Sequence, residues 1–142
     1  MREMLFRGRR IDNGEWVEGN AVKKIDPLLG IAYWFIVRQE LQNSCITGEP
    51  TILESTVTWY KVEPVTIGQY TGLKDKNDKR IFEGDIVRGN HFWHEKQKIY
   101  QVAFDYGEFY LVNDSGTACR HEHIEDIEVI GNIHDNPELL EV

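Results

Sequence analysis

The sequence of 142 residues has no long apolar run. Its longest apolar stretch, Ile31–Val37, has seven residues, whereas a membrane-spanning helix needs about 20. The N-terminal segment Met1–Arg7 also lacks the apolar core of a signal peptide. We therefore expect no membrane partner and a soluble intracellular domain.

Cysteine is scarce, with Cys45 and Cys119 as its two occurrences, and they form no CxxC pair. Few, widely spaced cysteines are typical of a reducing compartment, where the thiol behaves as a small apolar side chain. A reduced pair is the expectation, and a disulfide between the two cysteines stays open as the alternative.

Basic residues are scarce in the second half of the chain. Residues 1–80 carry 12 basic and 11 acidic side chains, a balance of +1, whereas residues 81–142 carry 4 basic and 13 acidic ones, a balance of −9. An acidic half repels a phosphate backbone, so nucleic acid is not the expected partner. The same charge could present a phosphate-like surface to a basic DNA-binding protein, which would be the partner under this hypothesis.

Short strand-like segments separated by turn residues predict a mainly β fold with few or no long helices. Asp12-Asn13-Gly14 indicates a tight hairpin turn. Glu63-Pro64 interrupts the next strand-like region, because proline has no amide donor. We expect an N-terminal β lobe over residues 1–65, which would carry much of the self-association surface, and an SH3-like β-barrel lobe over residues 66–142.

Alternating apolar residues around Asp105–Glu108 predict a hairpin in the second lobe, with one face buried. Residues 88–98 are predicted as a long loop, and residues 41–55 carry no pattern that assigns them. Pro137–Leu140 is predicted as a single helical turn near the C-terminal end.

Three blocks of the sequence resemble the YopX family. The blocks are Arg7–Gly19, Thr66–Val87 and Val129–Leu140. The resemblance implies a small protein encoded by phages and prophages that self-associates into a homo-oligomer. Its expected location is then the cytoplasm of the bacterial host cell, with a host or phage protein as a further partner. It implies no catalytic mechanism, and the matching positions are expected to be structural, with Trp16 and Phe82 as packing groups.

A basic N-terminal strand supports an alternative function as a nucleic-acid-associated regulator. Arg7 and Arg9 project from one face of the predicted strand, and aromatic side chains nearby could stack on bases. The residues of this candidate site are Arg7, Arg9 and Arg10, with Lys23, Lys24, Trp16 and Tyr33 as neighbours.

Histidine and cysteine in the second half support a weaker alternative, a zinc site. The candidate ligands are His91, His94, Cys119, His121 and His123. The last three alternate along a possible strand, which would place them on one face about 7 Å apart. Their spacing matches no standard zinc motif, and solvated histidines beside acidic residues are the simpler interpretation. We expect no cofactor.

No sequence motif for catalysis is present, and the expectation is a non-enzymatic protein. Glu83 and Asp85 are two nearby carboxylates without a nucleophile beside them, and Asp85 is expected to accept hydrogen bonds from backbone amides. Asp75–Lys79 lacks the glycine and glutamate of a calcium loop and is predicted to form a turn.

Overall fold

The computed structural model describes residues 4–44, 51–91 and 96–141. The chain forms two compact units, Met4–Ile67 and a second unit from Gly68 onward. The boundary between these units lies two residues after the predicted boundary between the lobes. The fold is mainly β, as predicted, and in the described residues the helical segments are three short 3₁₀ turns, Pro64–Thr66, His121–His123 and Pro137–Leu140. Among these residues, no helix is long and apolar enough to cross a membrane.

The N-terminal unit is an antiparallel sheet with the order β4-β3-β2-β1. Its strands are β1 (Phe6–Arg9), β2 (Trp16–Ile25), β3 (Ala32–Ser44) and β4 (Thr51–Lys61). The predicted turn between β1 and β2 is confirmed, because Gly14 donates its backbone N–H to Arg10 and Arg10 donates to Glu15. The unassigned region 41–55 contains the end of β3 and the start of β4.

The C-terminal unit contains the paired strands β5 and β6 and a five-stranded antiparallel sheet with the order β10-β9-β8-β7-β11. The strands are β5 (Gly68–Lys74), β6 (Arg80–Phe82), β7 (Asp85–His91), β8 (Gln97–Asp105), β9 (Glu108–Asn113), β10 (Ala118–Cys119) and β11 (Ile124–Asn132). In the described residues β10 and β11 are the edges of the five-stranded sheet, so the closed SH3-like barrel stays a prediction.

Each unit has its own apolar core. The N-terminal cluster is built on Val17, Ile36 and Val62. The C-terminal cluster is larger and consists of Ile81, Val87, Tyr100, Val102, Leu111, Ile124 and Ile127. Phe82 is fully buried, and its ring centroid lies 5.4 Å from that of Tyr70, which agrees with the packing role expected for Phe82.

The prediction of a loop over residues 88–98 is wrong at residues 88–91 and 97–98, whereas residues 92–95 lie outside the described residues. Strand β7 continues to His91, and β8 begins at Gln97. The strand is hard to detect in the sequence because Arg88 and Asn90 are polar and their side chains point away from the core. On that outer face, Arg88 donates a 3.0 Å hydrogen bond to Glu128 of β11. Gly89 between them is buried, so the alternation of a strand is kept.

Asp75 joins the turn after β5 to the last strand. One carboxylate oxygen accepts hydrogen bonds from the backbone N–H groups of Asn77 and Lys79, at 2.8 and 2.9 Å, and the other accepts from Val129 at 2.9 Å. Burial opposes ionisation of the carboxyl group, but these three donors hold its pKa below the usual range. The carboxylate form is therefore the one that stabilises the fold.

Replacing Asp75 by Asn should lower the free energy of unfolding by about 1–3 kcal/mol at neutral pH, because an amide group would face three backbone donors with one acceptor oxygen. Urea unfolding at several pH values measures this loss. The lowered pKa means that the stabilisation is present above the unfolded pKa of about 3.9 and is lost as the pH falls through the folded value. The difference between wild type and variant should therefore shrink in acid.

Asp78→Asn is the matched control, since Asp78 is exposed and Asn tolerates its positive φ of 64°. Equal unfolding midpoints for wild type and Asp75→Asn at neutral pH would contradict this account of the turn.

Candidate functional site

The N-terminal sheet has two chemically different faces. Side chains of directly opposed residues lie on the same face of an antiparallel pair. Ala21 opposes Ile36, and Ile36 opposes Tyr60, so these residues share the core face with Val17. The residues between them in each strand must point to the other side.

The second face combines aromatic rings with basic side chains. Lys24 opposes Tyr33, Phe35 opposes Lys61, and Val37 opposes Trp59 in the strand register. We call this surface the aromatic–basic face, formed by Arg7, Trp16, Lys24, Tyr33, Phe35, Trp59 and Lys61. Trp59 is 43% exposed, and Lys24 and Lys61 are exposed as well.

The cations of this face lie over its rings. The Lys24 Nζ atom is 4.5 Å from the Trp59 ring centroid, and the Lys61 Nζ atom is 4.1 Å from that of Tyr33. Phe35 meets Trp59 edge to face, with ring centroids 5.6 Å apart. Cation–π contacts at an exposed site are worth about 0.5–1 kcal/mol each, weak enough for a ligand to displace them.

The three arginines predicted to bind nucleic acid have different surroundings. Arg7 and Arg9 lie on the aromatic–basic side of β1, opposite Glu18 and Trp16, as expected. Arg9 forms a 2.8 Å ion pair with Glu63. Arg10 donates hydrogen bonds of 2.9 and 2.6 Å to Asp12, and its Cζ atom is 4.8 Å from the ring centroid of Tyr60, a residue of the core face.

Acidic neighbours thus compensate Arg9 and Arg10. Arg7 lies opposite Glu18 in the strand register and over the ring of Trp16, with its Cζ atom 4.8 Å from the centroid. Trp16 is half-buried in this contact. The exposed lysines of the aromatic–basic face are Lys24 and Lys61. Lys24 is one of the predicted neighbours of the three arginines, but Lys61 is not singled out by the sequence. The alternation of Val57, Trp59 and Lys61 is the signal that could have found the second of them, because period-two spacing places all three on one face.

The predicted zinc ligands are brought together only in part. The rings of His91 and His123 are 6.1 Å apart between centroids. The expected strand through the histidines is wrong, because His121–His123 forms a 3₁₀ turn that destroys the alternation. His94 lies outside the described residues. Among the residues the structure describes, no group of three or more His, Cys, Asp or Glu side chains could hold a metal ion, and the four-ligand site stays a prediction.

Asp85 has the structural role that its sequence position predicts. It is fully buried, and its carboxylate accepts a 2.8 Å hydrogen bond from the backbone N–H of Phe82. Glu83 beside it has its pKa raised by burial. The carboxylate of Asp85 is committed to the turn between β6 and β7.

A hairpin tip between β2 and β3 exposes aliphatic side chains. Asp26 fixes the turn: its carboxylate accepts hydrogen bonds from the N–H groups of Leu28 and Leu29, at 2.8 and 3.2 Å. Gly30 closes the turn with a φ of +67°, which favours glycine. We call the exposed side chains Ile25, Leu28, Leu29 and Ile31 the apolar tip. Leu28 is 93% exposed.

The C-terminal unit contains a mostly apolar cavity of about 250 Å³. Its walls include Leu73 and Ile81 from the β5–β6 pair, Glu108 and Leu111 of β9, and His121. Burial lowers the pKa of His121, against an opposite effect of the adjacent Glu122. The cavity is therefore suited to an apolar group.

Comparison with known proteins gives a family and a structural relative. Residues 5–141 match the sequence model of the YopX protein family. The chain is similar to the crystal structure of protein EF1440 from Enterococcus faecalis, with 28% sequence identity and a TM-score of 0.57 over 99% of this chain and 100% of that chain. No curated protein matches the chain.

The titration of His121 tests the character of the cavity. We expect its pKa, measured by NMR, to lie below the ordinary value of about 6.5 because burial disfavours the imidazolium. Glu122→Gln should lower it further, whereas Glu125→Gln, at an exposed position of β11, should leave it unchanged. The neutral form then stabilises the fold, so stability falls as the pH drops through the unfolded pKa. A measured pKa above 6.5 would overturn this assignment.

Proposed function

Because this chain belongs to the YopX family, we propose that it is a non-enzymatic accessory protein of a phage or prophage. It acts in the host cytoplasm through homo-oligomerisation and contacts with other proteins. The observation that carries this proposal is the apolar tip, which presents four aliphatic side chains on a turn held by defined hydrogen bonds. The absence of a catalytic motif from the sequence supports the non-enzymatic part.

The apolar tip is costly to leave in water. Covering one aliphatic side chain of this size contributes about 1.5–3 kcal/mol. Contiguous exposed apolar residues on a soluble chain mark interaction sites more often than scattered ones do. The turn is already ordered by Asp26, so docking it requires little additional loss of conformational entropy.

The second copy of the chain offers a surface complementary to this tip. The cavity of the C-terminal unit has apolar walls and carries Glu108 at its lining, in the half of the chain with a charge balance of −9. The apolar tip follows directly after Lys23 and Lys24. Apolar and charge complementarity together favour a contact in which the tip of one copy enters the cavity of the next.

Such a contact uses different surfaces on the two copies. Repetition of a heterologous contact generates a closed ring when its rotation closes. The oligomer expected from the resemblance to the family would then be cyclic, and one altered surface is enough to interrupt it.

Native mass spectrometry and light scattering of wild type, Leu28→Asp and Leu73→Asp test this proposal. Leu28 belongs to the tip, and Leu73 is a partly exposed residue of the cavity wall. We expect an oligomer for wild type and monomers for each variant, with the dissociation constant raised at least about tenfold. An equimolar mixture of the two variants should form dimers, since the intact tip of one fits the intact cavity of the other.

Val65→Asp is the matched control, because Val65 is 78% exposed in the same unit as the tip but lies in the 3₁₀ turn. Circular dichroism establishes that each variant is folded. A monomeric wild type refutes self-association. Variants that keep the oligomer refute the tip as its contact, and a mixture without dimers refutes the pairing of tip and cavity.

A further inference from the structure

We propose that the aromatic–basic face binds single-stranded nucleic acid. This site lies on the sheet surface of the N-terminal unit. It contains none of the side chains of the apolar tip, although Lys24 lies beside that tip, and the inference goes beyond the proposed function. It rests on the register that gathers cations and rings on one side of β2, β3 and β4.

The first argument is electrostatic. Among the described residues, neither Lys24 nor Lys61 forms an ion pair, whereas Arg9 is paired with Glu63 and Arg10 with Asp12. Two lysines on one surface without acidic partners attract a polyanion locally even though the whole chain carries −8. A phosphate group supplies the counter-charge that the protein does not.

The second argument concerns the rings beneath the lysines. Tyr33 and Phe35 stand two residues apart on β3, which separates them by about 7 Å along the strand. Trp59 lies beside them on β4, in contact with Phe35. Aromatic platforms of this kind stack on bases whatever their identity, because every base has a π-face.

The ammonium groups of Lys24 and Lys61 can lie either over an aromatic ring or beside a phosphate of the bound strand. Without ligand, each ammonium group lies over a ring, at 4.5 Å from Trp59 for Lys24 and 4.1 Å from Tyr33 for Lys61. When a base takes the place of the ammonium group over the ring, the flexible lysine stem lets the charge move to the adjacent phosphate. The exchange replaces a weak contact by a stacked base and a charge-assisted hydrogen bond.

The occupant is a single strand and not a duplex. In a duplex the faces of the bases are covered by their neighbours, so the rings of Tyr33 and Trp59 would have nothing to stack on. Duplex DNA also carries one charge per roughly 1.7 Å of axis, and this denser charge is repelled more strongly by a chain with a net charge of −8.

Fluorescence anisotropy of labelled oligothymidylate and oligouridylate, with a duplex of equal length as comparison, tests the proposal at low salt. Quenching of tryptophan fluorescence is a second readout of stacking. Lys24→Glu/Lys61→Glu should abolish binding, and Trp59→Ala should weaken it about tenfold, while Trp59→Phe retains most of it. With two to three phosphate contacts, log K against log salt should fall with a slope of about −1.4 to −2.

Lys96→Glu/Lys98→Glu is the matched control, with the same charge change on exposed lysines of the C-terminal unit. Equal effects of the two double variants would overturn the proposal, since the loss would then reflect net charge. Tighter binding of the duplex would also overturn it. If Lys24→Glu/Lys61→Glu changes the oligomeric mass but not the binding of oligonucleotides, the face belongs to self-association instead. Failure of the apolar tip variants to change the oligomer leaves this test unaffected.

Discussion

The pairing register of β2, β3 and β4 is the constraint on which the N-terminal unit depends. Successive side chains of a strand point to opposite faces, so a shift of one residue would move Ile36 out of the core and Phe35 into it. The turn closed by Asp26 and Gly30 fixes this register at one end of β2 and β3. A single turn therefore determines both what the sheet buries and what it presents to solvent.

The same turn shows how one segment can serve structure and function together. The hydrogen bonds of the Asp26 carboxylate use the backbone amides of the tip and leave its side chains outside. Leu28 and Leu29 contribute little to the stability of the unit in this position. Folding does not account for their aliphatic character, which the proposed contact with a second copy of the chain would explain, whereas Ile36 on the same hairpin is explained by the core.

The sequence predicts the architecture better than the site, for a physical reason. Local chemistry determines turns, so Asn13-Gly14 and Pro64 could be interpreted from their residue types, and the apolar alternation around Asp105 indicated a hairpin. The prediction of a loop fails at residues 88–91 because Arg88 and Asn90 are polar on the outer face of β7, and because one of its two partner strands, β11, is remote in sequence. The aromatic–basic face could not be predicted from the sequence either, because Lys24 contacts Trp59 only through the pairing of β2 and β4 with β3. Side chains that converge from three strands leave no local signature.

The bond from Asp75 to Val129 has a consequence for the order in which the chain is made. It joins positions 54 residues apart. The pairing of β11 with β7 spans from 33 residues, between Ile124 and His91, to 47 residues, between Asn132 and Asp85, so the C-terminal unit cannot complete its sheet before Asn132 has been synthesised. The N-terminal unit is assembled from contacts within residues 4–67 and can fold while the ribosome is still at work. On a nascent chain the apolar tip thus emerges before the cavity of its own chain exists. Under the proposed pairing, a tip that is still on the ribosome can enter only the cavity of a finished copy.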